Sequence, residues 1–263
     1  MEYIIDTHTH YDDMQFDGDR EELLLSLREK GVGTVIHAAA NLRGSEYGTR
    51  LAKEYDFIYT MVGVHPDDIA ELFLDDGFEK LESYVSSPHK IKKNKIVAIG
   101  EIGLDYHWMV CPKERQIEGF KMQLDLARRA GLPVNIHSRD AAEDTWQVLK
   151  EAHLEEIGGI VHCYSGSPEM SKNYLAAGFY IGVGGVVTFK NAKRLKQVVE
   201  EAPIERIVLE TDCPYLAPEP VRGTRNDSSK LIYVASEISK IKDIPLEDVI
   251  SITSENAANV YRL

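Results

Sequence analysis

The feature that most constrains this fold is a regular alternation of short apolar runs with amphipathic stretches over all 263 residues. The apolar runs, such as residues 34–38, are rich in β-branched side chains and are typical of strands. The stretches between them, such as residues 113–130, have the apolar spacing of helices. Strands that alternate with helices form parallel sheets, and eight such units in a chain of this length predict a TIM-type (β/α)8 barrel.

The predicted strands are short and distributed over the whole chain. They cover residues 3–8, 34–38, 58–64, 95–101, 134–137, 159–162, 179–183 and 206–211. Because neither a linker nor a low-complexity segment interrupts the pattern, we expect residues 1–263 to form a single domain. An open doubly wound sheet is the alternative, and the number of units favours the closed barrel.

Charge and cysteine content exclude several classes of protein. The formal net charge is −13 at pH 7, whereas proteins that wrap long duplex nucleic acid are usually basic, so nucleic acid would be bound only locally. Three scattered cysteines form neither a disulfide framework nor a Cys-x-x-Cys metal motif. Neither a signal peptide nor an apolar run of about 20 residues is visible. We therefore expect a cytoplasmic protein with no membrane association and no obligate protein partner.

Residues with metal-binding chemistry collect at the carboxyl ends of the predicted strands. They are His8 and His10 after the first strand, His65 after the third, Glu101 after the fourth, His137 after the fifth, His162 after the sixth and Asp212 after the eighth. In a barrel these strand ends share one rim, where barrel enzymes have their active sites. Imidazole and carboxylate groups are ligands for divalent transition metals, so the sequence predicts a metal site at this rim.

The number of candidate ligands is greater than one metal ion needs. Leaving His65 aside, six ligands suit two divalent ions about 3.5–4 Å apart, bridged by a carboxylate and a hydroxide. Such a water has a pKa of about 7 and is a nucleophile for phosphorus or a carbonyl carbon. We therefore expect two divalent metal ions per subunit, with zinc, manganese and magnesium as candidates, although magnesium would lack its usual all-oxygen ligands.

Taken together, these motifs resemble those of the TatD family of metal-dependent deoxyribonucleases in the amidohydrolase superfamily. The matching segments follow one another along the chain: Asp-Thr-His-Thr-His at 6–10, Gly-Val-His-Pro at 63–66, Gly-Glu-Ile-Gly-Leu-Asp-Tyr at 100–106, His-Ser-Arg-Asp-Ala at 137–141, His-Cys-Tyr-Ser-Gly at 162–166 and Glu-Thr-Asp-Cys-Pro-Tyr-Leu at 210–216. The resemblance implies a barrel hydrolase that cleaves DNA phosphodiester bonds, often from a 3′ end. Single-stranded DNA or DNA ends would be its partner.

The resemblance also implies a role for each candidate residue. His8, His10 and Asp212 would bind one metal ion, His137 and His162 the second, and Glu101 would bridge the two. Asp212 would also orient the attacking water or take its proton. His65 would contact the substrate phosphate or the leaving group, and its structural alternative is a histidine bonded to a carbonyl group.

Two further residues bear on the same site, and one basic run does not. Arg139 lies two residues beyond His137 on the same side of the strand, and its planar guanidinium suits phosphate, so we predict that it binds substrate. Glu210 would lie below the metal ligands, either bonded to a ligand histidine or paired with a basic side chain. The most basic run, residues 90–95, precedes the fourth strand and would lie at the opposite end of the barrel, so we predict a solvated loop there.

Two segments have no assigned role. The family usually has Arg-Asn-Glu-Pro after the eighth strand, whereas residues 225–229 are Arg-Asn-Asp-Ser-Ser, so we expect the loop there to differ. His107 and Trp108 follow Tyr106, at the end of the third motif, and neither has an assigned function.

Other functions share parts of this pattern. A hydrolase on the same scaffold could attack an amide, a lactone or a small phosphoester. Some barrel amidohydrolases bridge their metals with a modified lysine from the fourth strand, and Glu101 in that place favours the TatD-type interpretation. A non-catalytic metal-stabilised binding protein would bind metal without turnover. A PHP-type phosphoesterase also begins with His-x-His, but the later motifs fit it less well.

Overall fold

A computed structural model describes residues 3–153 and 157–263. Within these ranges eight parallel strands follow one another in the sheet in their sequence order. The strands are β1 (Ile4–Thr9), β2 (Val32–His37), β3 (Ile58–Val62), β4 (Ile96–Asp105), β5 (Val134–Arg139), β6 (Gly159–Val161), β7 (Tyr180–Val183) and β8 (Ile207–Leu209). Helices connect the strands, and the predicted TIM-type (β/α)8 barrel is confirmed.

The helices of the described ranges agree closely with the apolar periodicity. They are α1 (Arg20–Ser26), α2 (Leu42–Glu54), α3 (Gly77–Tyr84), α4 (Pro88–Lys93), α5 (Lys113–Ala130), α6 (Ala142–Ala152), α7 (Pro168–Ala176), α8 (Lys193–Glu201), α9 (Leu231–Lys242) and α10 (Leu246–Tyr261). Helix α5 ends at Gly131, which adopts a left-handed conformation with φ of 66°. Among these helices, none has the length and apolarity that a membrane span requires.

Contacts divide the chain into two compact units. The first contains the residues up to His37 together with His162–Leu263. In this unit β1 pairs with β2 and β7 pairs with β8, all in parallel. The chain beyond β8 also reaches β1, because Thr9 pairs with Cys213 and the Asp212 amide donates to the His8 carbonyl at 3.0 Å. The ends of the first and last strands are therefore held side by side.

The second unit contains Ala38–Val161. Here β4 pairs in parallel with β3 and β5, and β5 pairs with β6. Strand β4 continues to Asp105, beyond the predicted end at residue 101, and all of its residues are buried. Gly103 lies opposite His137 in this pairing, and a Cβ at position 103 would be 1.9 Å from the His137 carbonyl oxygen. Only glycine permits this close approach, which aligns the ends of β4 and β5.

The basic run at residues 90–95 is the main correction to the predicted elements. Most of it lies in the short helix α4, and the predicted loop is wrong. The Ser87 side chain accepts a hydrogen bond from the Lys90 amide, and Pro88 occupies the first turn. The lysines in the last turn interact favourably with the carboxyl end of the helix and stay in solvent.

Candidate metal centre

The first unit holds a group of buried and half-buried imidazoles and carboxylates that we call the histidine cluster. It consists of His8, His10, His162, Glu210 and Asp212. The Nε2 atoms of His8 and His10 are 3.1 Å apart. The rings of His8 and His162 stack with centroids 3.9 Å apart. Nitrogen lone pairs that converge at these distances are poor packing but good metal ligands, as the sequence predicted for the strand ends.

Asp212 brings a carboxylate to the same place. Its Oδ1 lies 3.3 Å from His10 Nε2 and 3.8 Å from His8 Nε2. Burial acts to raise the pKa of Asp212, but the hydrogen bond from His10 and the neighbouring histidines outweigh it and lower the pKa below its usual value. Strand β8 ends at Leu209, and Asp212 adopts a left-handed conformation with φ of 57°. The tertiary bond to the His8 carbonyl, rather than strand alternation, therefore sets its position.

Glu210 is the most deeply buried carboxylate of the histidine cluster, with no exposed surface. Its Oε1 accepts a hydrogen bond from the Cys163 amide and lies 3.6 Å from His162 Nδ1. Within the described ranges its ion-pair contact is this histidine and not a lysine or arginine. The arrangement fits the interpretation of Glu210 as a partner of a ligand histidine.

The other oxygen of Glu210 indicates that the cluster has room for a cation. Among the described residues, Oε2 has no hydrogen-bond partner. A Cβ at Gly182 would be only 2.4 Å from it, so the space for this oxygen exists because position 182 is glycine. Ligand atoms of His8, His162 and Glu210 all lie within 4.8 Å of one another. Because a buried carboxylate oxygen without a partner is costly, this donor set fits a bound cation.

The second unit holds a group that we call the carboxylate cluster. It consists of His65, Asp67, Glu101, Asp105 and His137. His137 lies between two carboxylates, with Nδ1 2.8 Å from Glu101 Oε1 and Nε2 3.1 Å from Asp105 Oδ2. The rings of His65 and His137 meet edge to face at 4.3 Å. The structure thus brings Glu101 and His137, which were predicted as ligands from different strands, into direct contact.

Asp105 is a site residue that the sequence analysis did not assign. It is 1% exposed and accepts hydrogen bonds from the His107 and Trp108 amides. It also contacts His137. Burial acts to raise its pKa, but the hydrogen bond to His137 and those from the amides lower it to about 2. The available signal was spacing: Glu101, Gly103 and Asp105 share one face of β4 because side chains alternate along a strand.

His65 takes part in the carboxylate cluster and also starts a short helix. The Asp67 amide donates to His65 Nδ1 at 3.2 Å, which caps the 3-10 helix Pro66–Phe73. The neutral imidazole therefore bears its proton on Nε2, the nitrogen that lies 3.8 Å from Glu101 Oε1. Its contact with substrate or leaving group stays a prediction.

The predicted substrate residue Arg139 is the last residue of β5 and is exposed. Its guanidinium carbon lies 5.5 Å from the centre of the Trp108 ring. Asp105 pairs with Arg139 in the sheet, so the arginine begins next to the carboxylate cluster. Its side chain is free to meet an anion from solvent, and its phosphate contact stays a prediction.

The segment that departs from the family pattern, residues 225–229, is a structured connection. Arg225 forms a two-pronged ion pair with Asp19, at 2.7 and 2.6 Å. The Asn226 side chain donates to the Thr211 and Tyr215 carbonyls. The Asp227 side chain caps a turn of 3-10 helix that starts at Ser228. These contacts tie the segment to the chain that carries Asp212, and they show that it folds without the proline.

A barrel that carries histidines and carboxylates at its strand ends, with a donor set that fits divalent cations, defines a metal-dependent hydrolase. The sequence profile described as "TatD related DNase" matches residues 5–262, and the chain belongs to the TatD family. YabD of Bacillus subtilis, an uncharacterised metal-dependent hydrolase, is 40% identical over 262 residues, covering 99% of each chain.

Solved structures agree with this assignment. The TatD homologue YjjV from Escherichia coli superimposes with a TM-score of 0.91 at 30% identity, covering 99% of this chain and 98% of that one. A TatD family hydrolase from Entamoeba histolytica has a TM-score of 0.88 at 27% identity, with the same coverage.

Proposed function

We propose that this protein is a deoxyribonuclease that hydrolyses phosphodiester bonds from the 3′ end of single-stranded DNA. The observation that carries the proposal is the convergence of His8, His10 and Asp212 in a chain of the TatD family. His8, His10, Glu101, His137, His162 and Asp212 would hold the divalent metal ions. Glu101 as the bridging ligand stays a prediction that rests on the family resemblance.

The metal ions, when bound, would polarise the phosphate and lower the pKa of a water molecule. Asp212 would orient the attacking water and take its proton, and its lowered pKa keeps the carboxylate ionised and able to accept it. The water oxygen bonds to phosphorus as the bond to the leaving oxygen breaks. His65 donates a hydrogen bond from Nε2 to the departing oxygen until solvent protonates it. Arg139 binds phosphate oxygens through its guanidinium.

The charge of the chain shapes how DNA would be captured. A protein with a net charge of −13 gains little from long-range attraction to the phosphate backbone. Capture of an end needs only a few phosphate contacts, so the salt dependence of binding would be shallow compared with that of duplex-wrapping proteins. Single strands and ends therefore suit this surface better than internal duplex DNA.

The test is cleavage of end-labelled DNA by purified protein loaded with metal. We expect a 5′-labelled single strand to shorten stepwise, with release of mononucleotides from the 3′ end. Glu101→Ala is the control for contaminating nucleases, and we expect it to cut at least about 100-fold more slowly, because partners of metal ligands alone cost 10–100-fold. Equal cutting by both proteins, or none by either, would reject the deoxyribonuclease. Turnover of only lactones or N-acyl amino acids in the same experiment would assign the amidohydrolase-type alternative.

A further inference from the structure

The connection between β4 and α5 presents three consecutive apolar side chains to solvent. We call residues 106–112 the β4–α5 loop. Trp108 is 62% exposed, Met109 47% and Val110 62%. Single exposed apolar residues need no explanation, but a contiguous group that includes tryptophan is typical of a surface that binds something.

The loop is held at both of its ends. Gln116 on α5 is fully buried, and its side chain donates to the Asp105 and Cys111 carbonyls at 2.9 Å and accepts from the Asp105 amide. The Asp105 carboxylate accepts the His107 and Trp108 amides from within the loop. These bonds direct the apolar tip outward, so the exposure of Trp108 is a property of an anchored loop.

Trp108 has charged and aromatic neighbours. The Arg139 guanidinium carbon is 5.5 Å from the centre of its ring, within the range of a cation–π contact. The His107 ring meets the indole edge to face at 4.8 Å, and His107 Nδ1 lies 3.0 Å from Asp140 Oδ2. An aromatic face is thus combined with a cation that suits phosphate.

One carboxylate joins this surface to the carboxylate cluster. Asp105 Oδ2 lies 3.1 Å from His137 Nε2, and Oδ1 accepts the Trp108 amide at 3.0 Å. Asp105 therefore connects Trp108 to His137, a predicted metal ligand, through one hydrogen bond on each side. A ligand that reaches both the Trp108 indole and the carboxylate cluster with its metal ions would have a flat apolar part and an anionic part close together. A nucleotide has this composition.

We propose that Trp108 and Arg139 form a stacking platform for a nucleobase next to the phosphate that is cut. The proposal rests on the proposed function, because the nucleobase belongs to the DNA substrate. Every base has a flat face that can stack on an aromatic side chain, so the platform acts without sequence preference. Bases of a duplex are already stacked on each other, so the platform favours single strands.

The kinetic test compares substrates with and without a base to stack. We expect Trp108→Ala to raise KM for a single-stranded oligonucleotide about tenfold with little change in kcat, and Trp108→Phe to keep most of the affinity. On an oligonucleotide whose 3′-terminal residues are abasic, Trp108→Ala and the unchanged protein should differ by less than about twofold. Leu25→Ala is the matched control, because Leu25 on α1 is an equally exposed apolar side chain (61%) outside the loop, and it should leave both substrates unaffected. Equal losses on both substrates, or no loss on either, would overturn the platform.

A binding measurement separates this inference from the proposed activity. The chain has two tryptophans, so Trp146→Phe leaves Trp108 as the single indole fluorophore. We expect the metal-loaded Trp146→Phe protein to lose Trp108 fluorescence on titration with a phosphorothioate oligothymidylate that resists hydrolysis. Abasic phosphorothioate should leave the fluorescence unchanged. DNA cleavage with no quenching rejects the platform alone, whereas quenching without cleavage rejects the deoxyribonuclease and leaves a base-binding surface.

Discussion

The histidine cluster and the carboxylate cluster use the same residue types in opposite proportions. In the histidine cluster, three imidazoles pack against one another, with Nε2 atoms 3.1 Å apart and stacked rings 3.9 Å apart. In the carboxylate cluster, His137 has a carboxylate within hydrogen-bond distance of each ring nitrogen. The histidine cluster thus concentrates nitrogen atoms that can bind metal. The carboxylate cluster instead pairs a histidine with carboxylates that can hydrogen-bond to it.

This difference indicates how each cluster depends on metal. The carboxylate cluster has internal hydrogen bonds that hold His137 between Glu101 and Asp105 in the absence of an ion. Among the described residues, each cluster has one buried carboxylate oxygen without a hydrogen-bond partner, Glu210 Oε2 and Asp67 Oδ1, but only the histidine cluster has imidazole nitrogens that converge, 3.1 Å apart. An ion that binds the folded state and not the unfolded state stabilises the folded state. We therefore expect a metal ion to contribute more to the order of the histidine cluster than to that of the carboxylate cluster.

The largest expected effect comes from removing a proposed ligand of the histidine cluster. His8→Ala should lower activity by more than about 100-fold. Mutation of a residue that only hydrogen-bonds to a metal ligand already lowers activity or metal affinity about 10–100-fold, and loss of the ligand itself should cost more. Its bound metal should fall, and it should melt close to the temperature of unchanged protein treated with a chelator. Elemental analysis and thermal melts with and without chelator measure this.

A matched variant checks the specificity of that result. His89 lies on the exposed surface of α4, so His89→Ala should keep its metal, its melting temperature and its activity. Full metal retention in His8→Ala would overturn the ligand assignment. We expect a chelator to lower the melting temperature of His137→Ala more than that of His8→Ala. The His137→Ala protein keeps an intact histidine cluster, and that cluster depends on its ion.

A smaller effect is expected from Asp105→Asn in the carboxylate cluster. The amide removes the charge that faces His137 Nε2, while its oxygen still accepts the loop amides. We expect a 10–100-fold loss of kcat or of metal affinity with the fold retained, the usual cost of losing a partner of a ligand. Metal titration followed by activity measures it, and circular dichroism checks the fold. Unchanged kinetics would show that Asp105 serves only the loop.

The smallest effect is expected outside both clusters, at a surface ion-pair network. Asp125 contacts Arg128 and Arg129, and Arg129 also contacts Glu82. The hydrogen bond from Arg128, against a small opposing effect of burial, lowers the pKa of Asp125 below 3.8. Because the network is exposed, Asp125→Asn should lower the free energy of unfolding at neutral pH by only about 0.2–1 kcal/mol, with kcat unchanged.

The pH dependence of this surface effect has a definite sign. A lowered pKa means that the folded state favours the ionised carboxylate, so the stabilisation is fully present above the ordinary pKa of 3.8. It disappears as the pH falls through the lowered folded-state pKa. Urea unfolding should therefore separate Asp125→Asn from the unchanged protein at pH 7 and show no difference in strong acid. A difference that grows toward acid would contradict the ion-pair explanation.

Local signals in the sequence were sufficient for the fold class and much of its detail. The predicted bounds of α5, residues 113–130, agree with the structure, because apolar periodicity and stop signals such as Gly131 act within a few residues. At α7 the Ser167 side chain accepts a hydrogen bond from the Met170 amide, and Pro168 occupies the first turn. The same pair, Ser87 with Pro88, begins α4, but the solvated loop predicted for residues 90–95 left this helix out.

Sequence alone also determined which residues could bind metal, because histidines and carboxylates follow strands whose ends share a rim. Only the tertiary structure decided which of them touch. Asp105 meets His137 because β4 continues beyond Glu101 through its pairing with β5, which Gly103 permits. Glu210 reaches His162 because Gly182 leaves room for its carboxylate. Alternation along one strand sets the face of a side chain, whereas these distances depend on pairing between segments far apart in the chain.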